Sequence, residues 1–142
     1  MLYVSLVADP KLDRLARVPL FKDLTKRDLQ FLASRVDEVS LKPGQTVIRE
    51  GQPTDAFFIV VTGNVDVTRQ GKPAARLGPG EFFGEIGMLD NGPATATVVT
   101  DGPVDAMVLS HAQFRDAIKG NESLALQVIA AMAQRLRANA LA

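Results

Sequence analysis

The residue types best suited to chemistry are concentrated in one segment, residues 83–100, where glycines, a carboxylate and threonines follow one another closely. Gly84 precedes a stretch that we predict to form a short helical turn, and free backbone N–H groups at such a turn can face an anion. The next residue is Glu85, whose carboxylate would repel a simple phosphate but can accept a hydrogen bond from a sugar hydroxyl. Phosphate donors beside a hydroxyl acceptor suit a sugar phosphate, although a Gly-Glu pair also occurs as an ordinary turn between strands.

The composition excludes several other kinds of chemistry. The 142 residues include no cysteine, which rules out disulfides, thiolate metal sites and cysteine nucleophiles. His111 is the single histidine, so histidine-cluster metal sites, including those of cupin-type enzymes, and Ser-His-Asp triads are disfavoured. We therefore expect no catalytic residues, no metal and no cofactor, and we predict that the chain is not an enzyme.

Charge and hydropathy limit the partners that the chain can have. Its 16 Lys and Arg residues balance its 16 Asp and Glu residues, which argues against a general polyanion binder, so we expect no direct binding to nucleic acid. The longest uninterrupted apolar run, residues 56–61, is far shorter than the roughly 18 residues of a membrane helix. The apolar residues 1–8 lack the basic flank of a signal peptide. We expect no membrane association and a cytoplasmic location.

The elements that must position segment 83–100 differ along the chain. In residues 1–35 we predict a helix over 9–18, which ends before Pro19, and a second helix near 26–35, capped by Thr25 and Asp28. Residues 36–109 contain short strand candidates separated by Gly and Pro turns, which is typical of a closed antiparallel barrel, roll or jelly roll. The candidates are 36–41, 46–49, 56–62, 64–69, 73–77, 95–100 and 104–109.

The pattern of residues 110–142 predicts a pair of helices. Ser110 and Gln113 form a capping box for a helix through Lys119, which Gly120 ends, and Asn121 can cap the final helix. The final helix carries apolar residues at helical spacing, which we interpret as one seam that packs on the strands and partly on a second copy, giving a homodimer. The seam consists of Val128, Ile129, Met132 and Leu136.

These patterns together predict an α+β fold. We expect an antiparallel β-roll (a double-stranded, jelly-roll-like barrel) over residues 36–109, flanked by N-terminal helices over 1–35 and by a C-terminal helical pair over 110–142. The whole chain, 1–142, is expected to form a single domain, since its length is typical of one.

Two motifs in this order and spacing resemble the cyclic nucleotide-binding domain family, which includes bacterial catabolite activator-type regulators, kinase regulatory subunits and gated channels. The first motif is Val47-Ile48-Arg49-Glu50-Gly51-Gln52, followed by Phe57-Phe58-Ile59-Val60 and Gly63. The second resembles the family's phosphate-binding cassette, in which a five-residue gap separates the opening motif from Arg-Ser/Thr-Ala and a strand. Its opening motif is Phe83-Gly84-Glu85-Ile86-Gly87-Met88. The resemblance runs from about residue 20 to the end and implies a β-roll that binds a cyclic nucleotide, with cAMP as the expected ligand.

The cassette departs from the family pattern at Ala94, which stands where the family has arginine. The resemblance implies that this arginine clamps the cyclic phosphate, while the glutamate that matches Glu85 binds the ribose 2′-hydroxyl. A charge-assisted contact of this kind is worth about 1.5–3 kcal/mol, or roughly ten- to a few hundredfold in affinity. We therefore expect weakened or altered binding, and Arg76 is the nearest replacement cation by position in the chain.

The resemblance also names the candidate ligand-binding residues. They are Gly84, Glu85, Ile86, Gly87, Ala94, Thr95 and Asn139. Asn139 matches the position in the last helix where bacterial relatives place a hydroxyl residue against the adenine, but it could equally be a solvated residue at a helix end. We expect the Thr95 side chain to face inward and His111 to lie on the surface.

Two other functions are consistent with the sequence. The chain could be a ligand-free module that serves protein–protein contacts, or the sensor half of a transcription regulator. We recognise no helix-turn-helix, kinase or acetyltransferase segment in the 142 residues. We therefore expect either an effector protein that is regulated in trans or a longer protein of which this chain is a fragment.

Overall fold

The computed structural model describes residues 10–141, without the side chains of Met88 and residues 139–141. Its internal contacts form two compact units. One comprises the described residues up to Ser34 together with the described residues from Asp116 onwards, and the other is Arg35–Arg115. The expectation of a single domain over 1–142 stays a prediction.

The unit Arg35–Arg115 is built on a six-stranded antiparallel sheet, as the turn spacing predicts. The pairing order is β1-β6-β3-β4, with β2 pairing to β6 and β5 pairing to β3. The strands are β1 (Asp37–Leu41), β2 (Thr46–Ile48), β3 (Ala56–Arg69), β4 (Lys72–Leu77), β5 (Phe82–Phe83) and β6 (Thr97–Ser110).

The two long strands, β3 and β6, each replace two shorter strands that the sequence predicts. Their pairing shifts between Val60 and Thr62 and again between Thr62 and Asn64, so the chain bends there without leaving the sheet. Gly63 has a φ of +88°, and an added Cβ would overlap with the carbonyl oxygen of Pro103 on β6. The glycine signals therefore mark bends within continuous strands, because close backbone approach also requires glycine.

A two-residue hairpin turn joins β3 to β4. Gln70 and Gly71 both have positive φ, 54° and 78°, as a type I′ turn requires. The tip is held by Glu50, whose Oε1 accepts a hydrogen bond of 2.9 Å from the Gln70 N–H. This contact connects the hairpin to the loop after β2.

Alternate residues of the strands fill the interior of the roll with apolar side chains. The buried cluster consists of Ile48, Val60, Val65, Leu77, Phe83, Ala94, Val98, Val104 and Ala106. A second group is aromatic: the ring of Phe57 lies 4.2 Å from that of Phe114 and 5.4 Å from that of Phe82, measured between centroids. These contacts fix β5 and the residues that follow it against β3.

Helices α3 (Ile86–Asp90) and α4 (His111–Lys119) follow β5 and β6 respectively. The predicted capping box of α4 is present, because the Gln113 N–H donates to Ser110 Oγ and the Ser110 N–H donates to Gln113 Oε1, each at 3.0 Å. The other unit contains α1 (Pro10–Ala16), a 3₁₀ turn (Pro19–Phe21), α2 (Lys26–Ala33) and α5 (Glu122–Leu141).

The helices of this second unit begin where their caps predict. The Thr25 side chain caps α2 in a complete box with Asp28, and Asn121 Oδ1 accepts a 2.9 Å hydrogen bond from the Leu124 N–H at the start of α5. Burial raises the pKa of Asp28, but its hydrogen bonds to Thr25 and Asn121 outweigh this effect and leave that pKa below its usual value. Residues of α2 and the first turns of α5 border a cleft of about 170 Å³, with Leu32 and Leu124 among its lining.

The predicted single seam of the final helix is wrong. Val128 is 3% exposed and Leu124, four residues earlier, is 1% exposed, whereas Leu126, Ile129 and Leu136 are 57%, 61% and 72% exposed. Successive helical residues point about 100° apart, so Val128 and Ile129 do not share one narrow face. Helix α5 therefore has one buried apolar face and one exposed apolar face. None of the described helices is both long and apolar enough to cross a membrane.

Candidate ligand-binding site

The turn between β5 and α3 is shaped by Gly84. Its φ is +91°, and an added Cβ would overlap with the carbonyl oxygen of Ala56 at the start of β3. Glycine is therefore needed here for backbone geometry, whether or not a ligand binds. Gly87 is also tightly packed, since an added Cβ would lie 3.4 Å from both His111 Cε1 and Thr54 Cγ2.

Glu85 is the charged residue at the centre of this turn. It directly precedes α3 and is only 5% exposed. Its predicted contact with a ligand stays a prediction, as does the alternative of an ordinary turn carboxylate. Glu85 interacts with other groups of the protein. A buried carboxylate beside a glycine turn can accept a hydrogen bond from the hydroxyl of a ligand that enters the site. Ile86, the next candidate residue, is half-buried.

Helix α4 holds both ends of the α3 segment. His111 is buried, and its Nε2–H donates to the Gly84 carbonyl oxygen at 2.8 Å, since a carbonyl can only accept. At the other end Arg115 Nη1 donates to Asn91 Oδ1 at 3.3 Å. The expectation that His111 lies on the surface is wrong, because the first residue of α4 packs beneath the turn. The sequence contains no local signal for this contact.

Ala94 lies inside the roll, and its backbone is paired on both sides. It is 9% exposed and belongs to the buried apolar cluster. Its N–H donates to the Gln52 carbonyl at 2.9 Å, and its own carbonyl accepts from the Gly51 N–H at 2.8 Å. The position that carries arginine in the family is therefore a small apolar contact in this chain.

Thr95 points the other way. Residues 94–98 alternate between buried and more exposed positions, as an extended chain does, and Thr95 is exposed. The expectation that the Thr95 side chain faces inward is therefore wrong. Inward and outward positions alternate here, and Ala94 is the residue that faces inward. Thr97, two residues further on, accepts a 3.0 Å hydrogen bond from the Glu50 N–H through its Oγ1.

Arg76 is not available as a replacement for the missing arginine. Its guanidinium pairs with Asp66 at 2.9 Å and with Asp101 at 2.6 Å, on the exposed side of the sheet. The hydrogen bond to Asp101 raises the pKa of Arg76. A different cation approaches the cassette: Arg69 Nε donates to the Thr95 carbonyl oxygen at 3.3 Å. Position in the chain does not show this, since Arg69 reaches the cassette across the sheet.

The structure thus places the candidate residues in three locations. Gly84, Glu85, Ile86 and Gly87 form the turn and the start of α3, and Ala94 and Thr95 precede β6. Asn139 belongs to α5, but its side chain lies outside the described residues, so its predicted contact with a base stays a prediction. Within the described part of the chain, no group of His, Asp or Glu residues is arranged to hold a metal ion.

Residues 38–121 match the family model of the cyclic nucleotide-binding domain, which is more than half of the chain. The chain belongs to the cyclic nucleotide-binding domain family. The β-roll and the segment 83–100 both lie almost entirely within the matched residues, in agreement with the motifs from which the family was inferred.

Named relatives of this domain are regulators. The CRP-like cAMP-activated global transcriptional regulator of Mycobacterium tuberculosis is 28% identical over 128 residues, which cover 87% of this chain and 57% of the relative. The structure of the Thermus thermophilus catabolite activator protein has a TM-score of 0.78 at 28% identity, covering 87% of this chain and 60% of that one. The sensor domain of the transcriptional regulator DNR from Pseudomonas aeruginosa has a TM-score of 0.76 at 29% identity, covering 88% of this chain and 92% of that one.

The chain therefore spans little more than half the length of the curated relative. It matches almost the whole of the isolated DNR sensor domain. The shared part is the cyclic nucleotide-binding regulatory or sensor domain.

Proposed function

We propose that this domain is a sensory module that binds a cyclic nucleotide, cAMP by preference, at the cassette and with weakened affinity. The observation that carries this proposal is the buried Glu85 carboxylate on a glycine turn, within a cassette whose arginine position is occupied by Ala94. A hydroxyl acceptor is kept while the phosphate's countercharge at that position is lost.

Each part of the ligand would meet a different group. The Glu85 carboxylate would accept a hydrogen bond from the ribose 2′-hydroxyl, and backbone N–H groups of residues 84–87 would face the phosphate. The apolar side chains of the interior, such as Ile48 and Val98, would contact the base. Because Glu85 is itself anionic, a phosphate without a nearby cation would be repelled, which is why we expect weak binding.

A specific observation also favours a second function, that of a ligand-free module for protein–protein contacts. The Ala94 side chain packs within the apolar cluster, and both of its backbone groups are bonded to residues 51 and 52. A roll packed in this way needs no ligand to complete its core.

Calorimetric titration with cAMP and with cGMP separates the two functions. For a sensory module we expect saturable cAMP binding that is roughly ten- to a few hundredfold weaker than that of a variant with the arginine restored. Absence of binding by either nucleotide, in the wild type and in the restored variant, would favour the ligand-free module. Wild-type binding as tight as that of the restored variant would contradict weakened affinity.

We propose further that the domain regulates an effector and is not itself catalytic. The Mycobacterium tuberculosis relative is a transcriptional regulator, which supports a regulatory role, and the effector could be a separate protein or a further part of the same polypeptide. A cytoplasmic location fits such a role.

Helix α5 has an exposed apolar face. Leu126, Ile129 and Leu136 are exposed, and with Ala133 they recur at spacings of three and four residues, as in a helix that pairs with a copy of itself. We propose that this face, and not the face of Val128, forms the dimer contact.

Glutamate at position 129 should abolish this dimer without unfolding the domain. Ile129 is 61% exposed, so Ile129→Glu places its charge in water in the monomer but inside the contact in the dimer. The matched control, Val128→Glu, buries an unpaired charge and should lower the melting temperature instead. Sedimentation and thermal melting report the two effects. A monomeric wild type, or a dimeric Ile129→Glu variant, would show that the α5 face is not the contact.

A further inference from the structure

Arg69 lies on the face of β3 that lines the interior of the roll. Side chains alternate along a strand, so Arg69 shares a face with Val65 and Val67. Val65 is part of the buried apolar cluster, and Val67 packs against it. Arg69 is the last of these three residues and is exposed, so its positive charge lies at the rim of the apolar interior.

The Arg69 guanidinium is anchored in a way that leaves its outer donors available. Within the part of the chain that the structure describes, its side chain makes one hydrogen bond, from Nε to the Thr95 carbonyl oxygen at 3.3 Å. The two Nη groups carry four of the five N–H donors of an arginine. Because the Arg69 guanidinium is held through Nε, its two Nη groups can donate to a ligand beside Thr95, the residue that follows Ala94.

The position of Arg69 is set by the sheet. The neighbouring pair Thr68 and Thr97 is the last of the β3–β6 ladder, and Arg69 pairs with Lys72 across the hairpin. The Glu50 carboxylate accepts from the Gln70 N–H, which fixes the turn next to Arg69. The cation is therefore in place before a ligand binds, which lowers the entropic cost of using it.

Arg76 shows by contrast what an arginine on the outer face does. It pairs directly across the strands with Asp66, also bonds Asp101, and so has two carboxylates as partners. The chain therefore contains two strand arginines with different partners. Arg76 pairs with carboxylates outside the roll, and Arg69 donates to a carbonyl at the edge of its interior.

We propose that Arg69 supplies the countercharge for the ligand's phosphate that position 94 no longer provides. This inference rests on the proposed function, because it needs an anionic ligand at the cassette. The chain thus binds the phosphodiester from β3, across the sheet, instead of from the cassette itself. Wild-type binding is weak but does not vanish, because an exposed guanidinium at the rim is a poorer clamp than a buried one.

The test is a calorimetric titration with cAMP of the wild type and of Arg69→Gln, Arg69→Lys and Arg76→Gln. Arg69→Gln and Arg76→Gln each remove one positive charge from an exposed strand residue, so Arg76→Gln is the matched control for net charge. We expect Arg69→Gln to weaken binding about tenfold or more and Arg69→Lys to weaken it less, because lysine keeps the charge but loses the fork. Arg76→Gln should stay within about twofold of the wild type.

Adding salt gives a second readout that a structural role would not change. Screening should weaken cAMP binding by the wild type more than binding by Arg69→Gln, which has lost the exposed charge. Equal cAMP affinities of wild type and Arg69→Gln would overturn the role of Arg69 and leave the proposed function standing. A wild type that fails to bind while Ala94→Arg binds would overturn the role of Arg69 and also the proposed weak binding by the wild type. Failure of both the wild type and Ala94→Arg to bind would overturn the proposed function, and the role of Arg69 with it.

Discussion

The Ala94→Arg variant is expected to bind cAMP about one to two decades more tightly than the wild type. The substitution returns the cation that the family pattern places at this position, while the Gly84–Gly87 turn, Glu85 and Thr95 are unchanged. Ala94 is nearly buried, so the new side chain must extend along the interior toward the rim, and only its charged end gains from meeting a phosphate. Titration calorimetry under one salt condition measures the gain.

Three further variants test where this gain comes from. Ala94→Gln adds a long polar side chain without charge and should give little or no gain. Removing the carboxylate in the double variant Ala94→Arg/Glu85→Ala should abolish the gain, because the ribose contact is lost. In an Arg69→Gln background the gain from Ala94→Arg should be larger than in the wild type, since two cations that serve one phosphate are partly redundant. A gain equal to that of Ala94→Gln would contradict the charge argument.

The Gly84→Ala variant is expected to be destabilised by about 2–5 kcal/mol. The backbone at residue 84 has a φ of +91°, which costs an L-residue about 1–2 kcal/mol. The added Cβ would also overlap with the carbonyl oxygen of Ala56, which forces β3 and β5 apart and adds a cost of about 1–3 kcal/mol for overpacking. Denaturant unfolding of the purified domain measures the difference.

Gly102→Ala is the matched control for Gly84→Ala. Its φ is +83°, but an added Cβ would have no heavy atom within 4 Å. It should therefore show the conformational cost alone, about 1–2 kcal/mol. Equal destabilisation by the two substitutions would mean that the close approach to Ala56 is relieved at little cost. The turn would then be more plastic than the structure indicates.

The features that the sequence predicts correctly are those with local chemistry. The capping boxes at Thr25 and Ser110 and the cap at Asn121 are all present, because a cap forms between residues two or three positions apart. The short helix that follows Gly84 is likewise encoded in a short stretch. The predicted number of strands is wrong, because Gly63 and Gly102 mark bends within β3 and β6 that look like turns in the sequence.

What could not be predicted depends on which face of an element a residue occupies. Arg69 and Arg76 are both exposed strand arginines, and only the pairing of the strands shows that one reaches Thr95 while the other pairs with Asp66 and Asp101. The burial of His111 depends in the same way on how α4 packs under the cassette turn. Such contacts join residues far apart in the chain, and the sequence contains no periodic signal for them.

We propose that the cassette of this domain is a working, if weak, site for a cyclic nucleotide. The most direct test is a titration of the isotope-labelled wild type with cAMP, followed through its backbone amide chemical shifts. We expect saturable shifts that are largest at residues 84–87 and 94–97, with Arg69 also affected. Amide chemical shifts that do not change at millimolar cAMP, or changes confined to the cleft between α2 and α5, would contradict binding at the cassette.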